Sequence, residues 1–107
     1  MRDDSFRDYV LDQLAPLAVD AKAMFGGHGL YRGGEFFGIL HGGRLYFRTD
    51  EAGRPAYVKR GMQPFRPNTR QTLAAYYEVP PEILEDGPEL LAWARRALAT
   101  SAKTHGK

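Results

Sequence analysis

The residues with the widest chemical scope are His28, His41 and His105, the hydroxyls of Ser5 and Ser101, and the acids Glu82, Glu85, Asp86 and Glu89. Arg44, Tyr46 and Arg48 form an alternating basic and aromatic triplet. His28 sits in the glycine-rich string FGGHGLYRGG, Phe25–Gly34. That string lacks the third glycine of a dinucleotide fingerprint, and no GK[ST] follows it. Its context reads strand–turn–strand, whereas a phosphate cradle needs a helix N-terminus. Its glycines therefore read as turn and close-packing residues. Catalysis through His28 would require a nucleophile or a carboxylate beside it. Both serines fall near predicted helix ends, without a strand–serine–helix elbow. The histidines lack metal-ligand spacing, and the chain has no cysteine. No catalytic residue, metal or cofactor is assigned. The acids between Glu82 and Glu89 suit helix capping and solvation.

Arg44, Tyr46 and Arg48 support two readings. Basic residues interleaved with an aromatic can stack on bases and contact phosphates. The same face, in the register set out below, also carries Leu30, Phe37 and Ile39. Apolar residues rimmed by arginine fit a protein interface. Leu30, Phe37, Ile39, Arg44, Tyr46 and Arg48 are the candidate partner-binding residues. Homodimerisation through that face is a lesser alternative.

Composition narrows the classes. The 107 residues are 43% hydrophobic and 26% charged, with a net charge of +2, values of an ordinary globular domain. No run approaches the roughly 18 apolar residues that span a bilayer. The polar N-terminus has no signal-peptide core. A cytoplasmic single domain over 1–107, ordered over about 4–101 with a frayed tail, is expected. Charge is segregated. Residues 1–20 and 71–91 are acidic, while 44–70 carry Arg44, Arg48, Arg54, Lys59, Arg60, Arg66 and Arg70. Direct nucleic-acid binding by 44–70 is the alternative function, and a small enzyme pairing His28 with a carboxylate is a more distant third.

The elements that must hold these groups follow from periodicity. Phe6, Val10, Leu14 and Leu17 keep helical spacing, which predicts a helix over 4–15 that Pro16 ends. Gly33-Gly34 and Gly42-Gly43 each separate two strand-like runs, the signature of two-residue hairpin turns. Such turns place Arg32 opposite Glu35 and His41 opposite Arg44. Regular pairing then continues with Gly29 opposite Gly38 and His28 opposite Ile39. It gathers Tyr31, Phe36, Leu40, Leu45 and Phe47 on one face. It leaves His28, Leu30, Phe37, Ile39, Tyr46, Arg44 and Arg48 on the other.

An earlier strand is expected over 22–25, and a short helix after Asp50. Residues 62–70, with Pro64, Pro67 and Asn68, read as a loop. A strand over 72–79 points Leu73, Ala75, Tyr77 and Val79 one way. A short helix over 82–85 and a final helix over about 88–101 complete the chain. The fold class is α+β: an antiparallel β-meander sheet with N- and C-terminal helices packed on it, in two layers.

Four strings carry a resemblance: MFGGHGLYRGGEFFGIL, GRLYFRTDEAGR, YVKRGMQPF and YYEVPPEILEDGPELLAWARRAL, in that order across residues 6–98. Together they make the chain resemble the N-terminal domain of the TfoX/Sxy family of bacterial competence regulators. The resemblance implies a small α+β fold with an antiparallel sheet and packed helices. Full-length regulators of the family carry a second, C-terminal domain, so this chain looks like a stand-alone N-terminal module. The role implied is transcriptional co-regulation alongside a cyclic-AMP receptor-type factor, with no enzymatic residues to transfer. The expected function is a non-enzymatic regulatory, protein-interaction module.

Overall fold

The computed structural model describes residues 5–24 and 26–105, the side chains of residues 104 and 105 excepted. The chain begins with α1 (Ser5–Gln13) and a 3-10 turn over Ala15–Leu17. Four strands follow: β1 (Asp20–Met24), β2 (Gly27–Arg32), β3 (Glu35–His41) and β4 (Arg44–Arg48). Next come α2 (Arg54–Val58), the hairpin β5 (Pro64–Asn68) and β6 (Gln71–Glu78), α3 (Pro81–Leu84) and α4 (Gly87–His105). The strands form one antiparallel sheet in the order β1-β2-β3-β4-β6-β5. With the helices on one face, this is the expected two-layer α+β architecture.

The helices sit where periodicity placed them. Val10, Leu14 and Leu17 are buried, and Pro16 converts the end of α1 into the 3-10 turn. Asp86 caps α4: its carboxylate accepts the Glu89 N–H at 3.2 Å, and its carbonyl accepts that of Leu90 at 2.8 Å. α4 runs to His105, past the expected end at 101, and packs Leu90, Ala94 and Ala97 across β3 and β4.

Both Gly-Gly turns form as expected. All four glycines have positive φ, and the closing pairs are Arg32 with Glu35 and His41 with Arg44. Beyond Tyr31 and Phe36, however, the β2–β3 ladder shifts. A bulge makes Leu30 oppose Gly38, Gly29 oppose Ile39 and His28 oppose Leu40. The expected pairs Gly29–Gly38 and His28–Ile39 are thus corrected by one residue. The reason is the extra residue that a bulge inserts, which re-aims the chain without altering the turn. Phe37 now joins Leu30, Leu40, Leu45 and Phe47 in the core under the helices. Phe36 and Tyr31 turn to the opposite face, their ring centroids 5.1 Å apart.

That opposite face is not open. Residues 64–68, expected to be a loop, form β5, which closes on β6 through the pair Asn68–Gln71. The Asn68 side chain accepts the Arg70 N–H at 2.9 Å across that turn. Proline is tolerated here because β5 is an edge strand with no ladder bond to donate outward. Register shifts in β5–β6 bend the hairpin, and Phe65 comes to rest 4.8 Å from the Tyr46 ring centroid and 5.3 Å from that of His41. Ile39, Tyr46, Phe65 and Tyr76 thereby form a second core. The stripe expected on β6 divides: Leu73 and Ala75 pack on this second core, Tyr77 and Val79 on the first.

Candidate functional site: the cleft between α4 and the β4–α2 junction

The nominated partner-binding residues do not share an exposed face. Leu30 and Phe37 are fully buried in the helix-side core. Ile39 is fully buried in the second core, and Tyr46 is 9% exposed there. The bulge removes the first pair, and the curled hairpin covers the second. Arg44 remains at the surface, its Nη1 3.1 Å from Glu78 Oε1. Arg48 is half-buried, its Nη1 3.5 Å from the Tyr76 hydroxyl and its guanidinium 5.8 Å from that ring's centroid.

Arg48 also lines a cleft of about 210 Å³. One wall is α4, through Glu89, Ala92, Trp93, Arg96, Ala97 and Thr100. These positions recur at helical spacing on one flank of the stripe that α4 buries. The other wall is the end of β4, the turn after it and α2: Arg48, Thr49, Asp50, Gly53, Ala56 and Tyr57. Alanines and Gly53 keep it open, because small side chains leave the walls apart.

The junction is built by hydrogen bonds that the sequence pattern partly announces. Asp50 caps the turn into α2: its Oδ1 accepts the Gly53 N–H at 2.8 Å and its carbonyl accepts the Arg54 N–H at 2.9 Å. Across the cleft, Thr100 Oγ1 donates to Asp50 Oδ2 at 3.5 Å. The Gly53 N–H chiefly holds the Asp50 carboxyl below its ordinary range; burial opposes it, and the Asp50 backbone N–H, Lys103 and Arg96 add smaller lowering effects. Arg54 fastens the same corner, donating to Thr49 Oγ1 at 3.0 Å and to the Thr49 carbonyl at 3.3 Å. Thr49 Oγ1 in turn donates to the Ala75 carbonyl at 2.8 Å.

The floor is aromatic. The Tyr57 ring meets Trp93 edge-on at 4.8 Å, and burial drives the Tyr57 phenol far above its usual range, with Arg96 pulling weakly the other way. Arg60 lies over the outer face of Trp93 at 5.3 Å and reaches Glu82 at 3.4 Å. The cleft thus offers an apolar surface rimmed by the cations Arg48 and Arg96 and by the carboxylates of Asp50 and Glu89. It holds a neutral phenol, two carboxylates and no histidine.

The remaining candidates lie apart from it. His28 is half-buried on β2, and its imidazole makes no hydrogen bond or ion pair among the described residues. Ser101 donates to the Phe36 carbonyl at 2.7 Å and is fully buried. The His105 side chain lies outside the described residues. Among the described residues, no group of three or more potential ligands could hold a metal ion. No helix among them is long and apolar enough to cross a membrane.

Sequence reasoning missed Asp50, Tyr57, Trp93, Arg96 and Thr100 as one site. The available signal was the Ala92–Arg96–Thr100 spacing beside Trp93, a polar flank next to an apolar stripe.

A six-stranded antiparallel sheet with helices on one face and a cleft along its last helix defines a small two-layer α+β domain. The family model of the TfoX N-terminal domain matches residues 11–101, and the chain belongs to that family. It is a family of regulatory domains. No curated protein matches the chain.

Proposed function

We propose that this chain is a regulatory module that works by contact with a protein partner, with the cleft between α4 and the β4–α2 junction as its contact surface. The observation that supports this reading is family membership joined to the make-up of the cleft. Its floor is aromatic and its rim carries arginine, the residue types that dominate interface hot spots. Following the family, the partner is a cyclic-AMP receptor-type transcription factor in the cytoplasm, and the outcome is co-regulation of transcription linked to competence.

The basic 44–70 segment weighs against direct nucleic-acid binding. Of its seven basic residues, Arg44 contacts Glu78, Arg48 Tyr76, Arg54 Thr49, and Arg60 Trp93 and Glu82, which leaves the exposed Lys59, Arg66 and Arg70. Guanidinium groups held by the fold are poorly placed to neutralise a row of phosphates.

Calorimetric titration with a purified factor of that type tests the reading. The wild-type chain should bind, and Ala92→Trp, which fills the cleft, should weaken binding about tenfold or more. No binding by the wild type rejects the partner class. Undiminished binding by a folded Ala92→Trp rejects the cleft.

A further inference from the structure

The two edges of the sheet are built differently. The β5 edge carries Pro64 and Pro67 and two register shifts, the usual devices that stop a sheet from pairing onward. The β1 edge has none of these. Its five residues pair with β2 in unbroken register, from Asp20–Tyr31 to Met24–Gly27.

The orientation of its free groups follows from the hairpins. Only two residues separate Met24 from Gly27, which makes that pair the hydrogen-bonded closing pair. Asp20, Lys22 and Met24 therefore bond to β2, and the N–H and C=O groups of Ala21 and Ala23 point outward. The next turn gives the same parity: Arg32–Glu35 closes it, so even-numbered residues of β2 bond to β3 and odd-numbered ones to β1. No other hydrogen bond reaches Ala21 or Ala23 among the described residues.

We infer that β1 pairs antiparallel with β1 of a second copy of this chain about a two-fold axis at Ala21. In that register Asp20 faces the second copy's lysine at position 22, and Lys22 faces its aspartate at position 20. Both contacts lie on the sheet face where Lys22 already covers the Tyr31 ring at 5.0 Å. On the other face Ala21 meets its own counterpart and Val19 meets alanine 23, extending the apolar side that packs on the core. A register centred on Lys22 would set two lysines directly opposite each other, which is destabilising, and one centred on Ala23 would set Lys22 opposite methionine 24 and lose the aspartate–lysine pairs. Lys22 on an unprotected edge would normally deter pairing. Here the reciprocal aspartate removes that deterrent for one partner, a copy of the same strand.

A five-residue strand contact is small, so association is expected in the micromolar to millimolar range. Sedimentation velocity across concentration, with amide hydrogen exchange followed by NMR, tests the pairing on the whole chain. The wild type should show a monomer–dimer equilibrium, with the Ala21 and Ala23 amides gaining protection as concentration rises. Asp20→Lys should weaken the dimer roughly tenfold, because both cross-strand pairs become like-charged. The double exchange Asp20→Lys with Lys22→Asp should restore it. A wild type still monomeric at about 1 mM overturns the inference. So does a dimer indifferent to Asp20→Lys, or one that leaves the Ala21 amide unprotected, since each places any association elsewhere. A monomer that nevertheless protects these amides on adding an unrelated strand peptide also overturns the two-copy pairing.

Discussion

Phe36 and Phe37 are consecutive residues of one strand, and each supplies a different core. Phe36 lies 5.3 Å from Tyr76 on the hairpin side, while Phe37 lies 5.9 Å from Phe47 under the helices. The bulge beside Tyr31 sets which phenylalanine belongs to which core. Phe37 is fully buried and Phe36 only partly. Phe37→Ala should cost about 3–5 kcal/mol of unfolding free energy and Phe36→Ala distinctly less. Urea denaturation of the two variants measures the difference. Equal losses would contradict the separation of the two cores.

Phe65 covers Ile39 and Tyr46 from β5. Burial first, then the Glu78 charge, raise the Tyr46 phenol above its ordinary value, and Arg44 opposes them. Phe65→Ala should open this core, at a cost of about 3–5 kcal/mol. In the folded variant the Tyr46 pKa should fall back toward the ordinary tyrosine value. Ultraviolet titration of the phenolates follows this directly. An unchanged Tyr46 titration would show that Phe65 does not shield it.

The buried tyrosines also predict how stability responds to alkali. Burial raises Tyr57 most, and raises Tyr76 against the opposing effect of Arg48. A phenol whose folded pKa exceeds its unfolded value contributes stability that is complete below the unfolded pKa. That contribution declines as pH rises toward the folded value. Stability should therefore fall once pH passes the ordinary tyrosine value of 10.0. Tyr57→Phe should flatten that decline. Thermal melts between neutral pH and about pH 11 supply the check.

Asp50 acts in the opposite direction. Its folded pKa lies below the model-compound value of 3.8, chiefly because the Gly53 N–H bonds the ionised form. Its contribution is present above that value and disappears as pH falls through the folded pKa. Asp50→Ala should cost about 1 kcal/mol at neutral pH through the lost cap, with the gap to the wild type narrowing in acid. Asp50→Asn, which keeps an oxygen acceptor, should retain most of the cap. A gap that persisted unchanged once acid had protonated this carboxylate in the folded chain would assign the loss to something else.

Gly27 opens β2 at a point with no room for a side chain. A Cβ there would overlap the Leu40 carbonyl oxygen on β3. Gly27→Ala should destabilise the fold by more than about 3 kcal/mol or prevent folding. Gly26→Ala, one residue earlier, meets nothing within 4 Å and should cost only the strain of its positive φ of 78°. Comparing the two variants by thermal denaturation separates close packing from turn geometry.

Local chemistry along the chain determined much of this protein. Gly33-Gly34 and Gly42-Gly43 announced two tight turns. Pro16 announced the end of α1, Asp50 and the acids near Glu89 announced helix starts, and the apolar spacing of 6–17 and 90–98 announced the faces that the helices bury. Each signal acts within a few residues, so a single sequence displays it. Three features depended on tertiary structure. The bulge between Leu30 and Tyr31 decides which of Phe36 and Phe37 shares a core with Leu40, a choice that rests on distant partners such as Phe47 and Tyr76. Strand β5 forms despite two prolines because it lies at an edge, a property of strand order and not of composition. The cleft joins Asp50 to Thr100 and Tyr57 to Trp93, pairs brought together only when α4 folds back across the sheet. Periodicity assigns residues to faces, but what lies against a face is settled by packing between segments far apart in sequence.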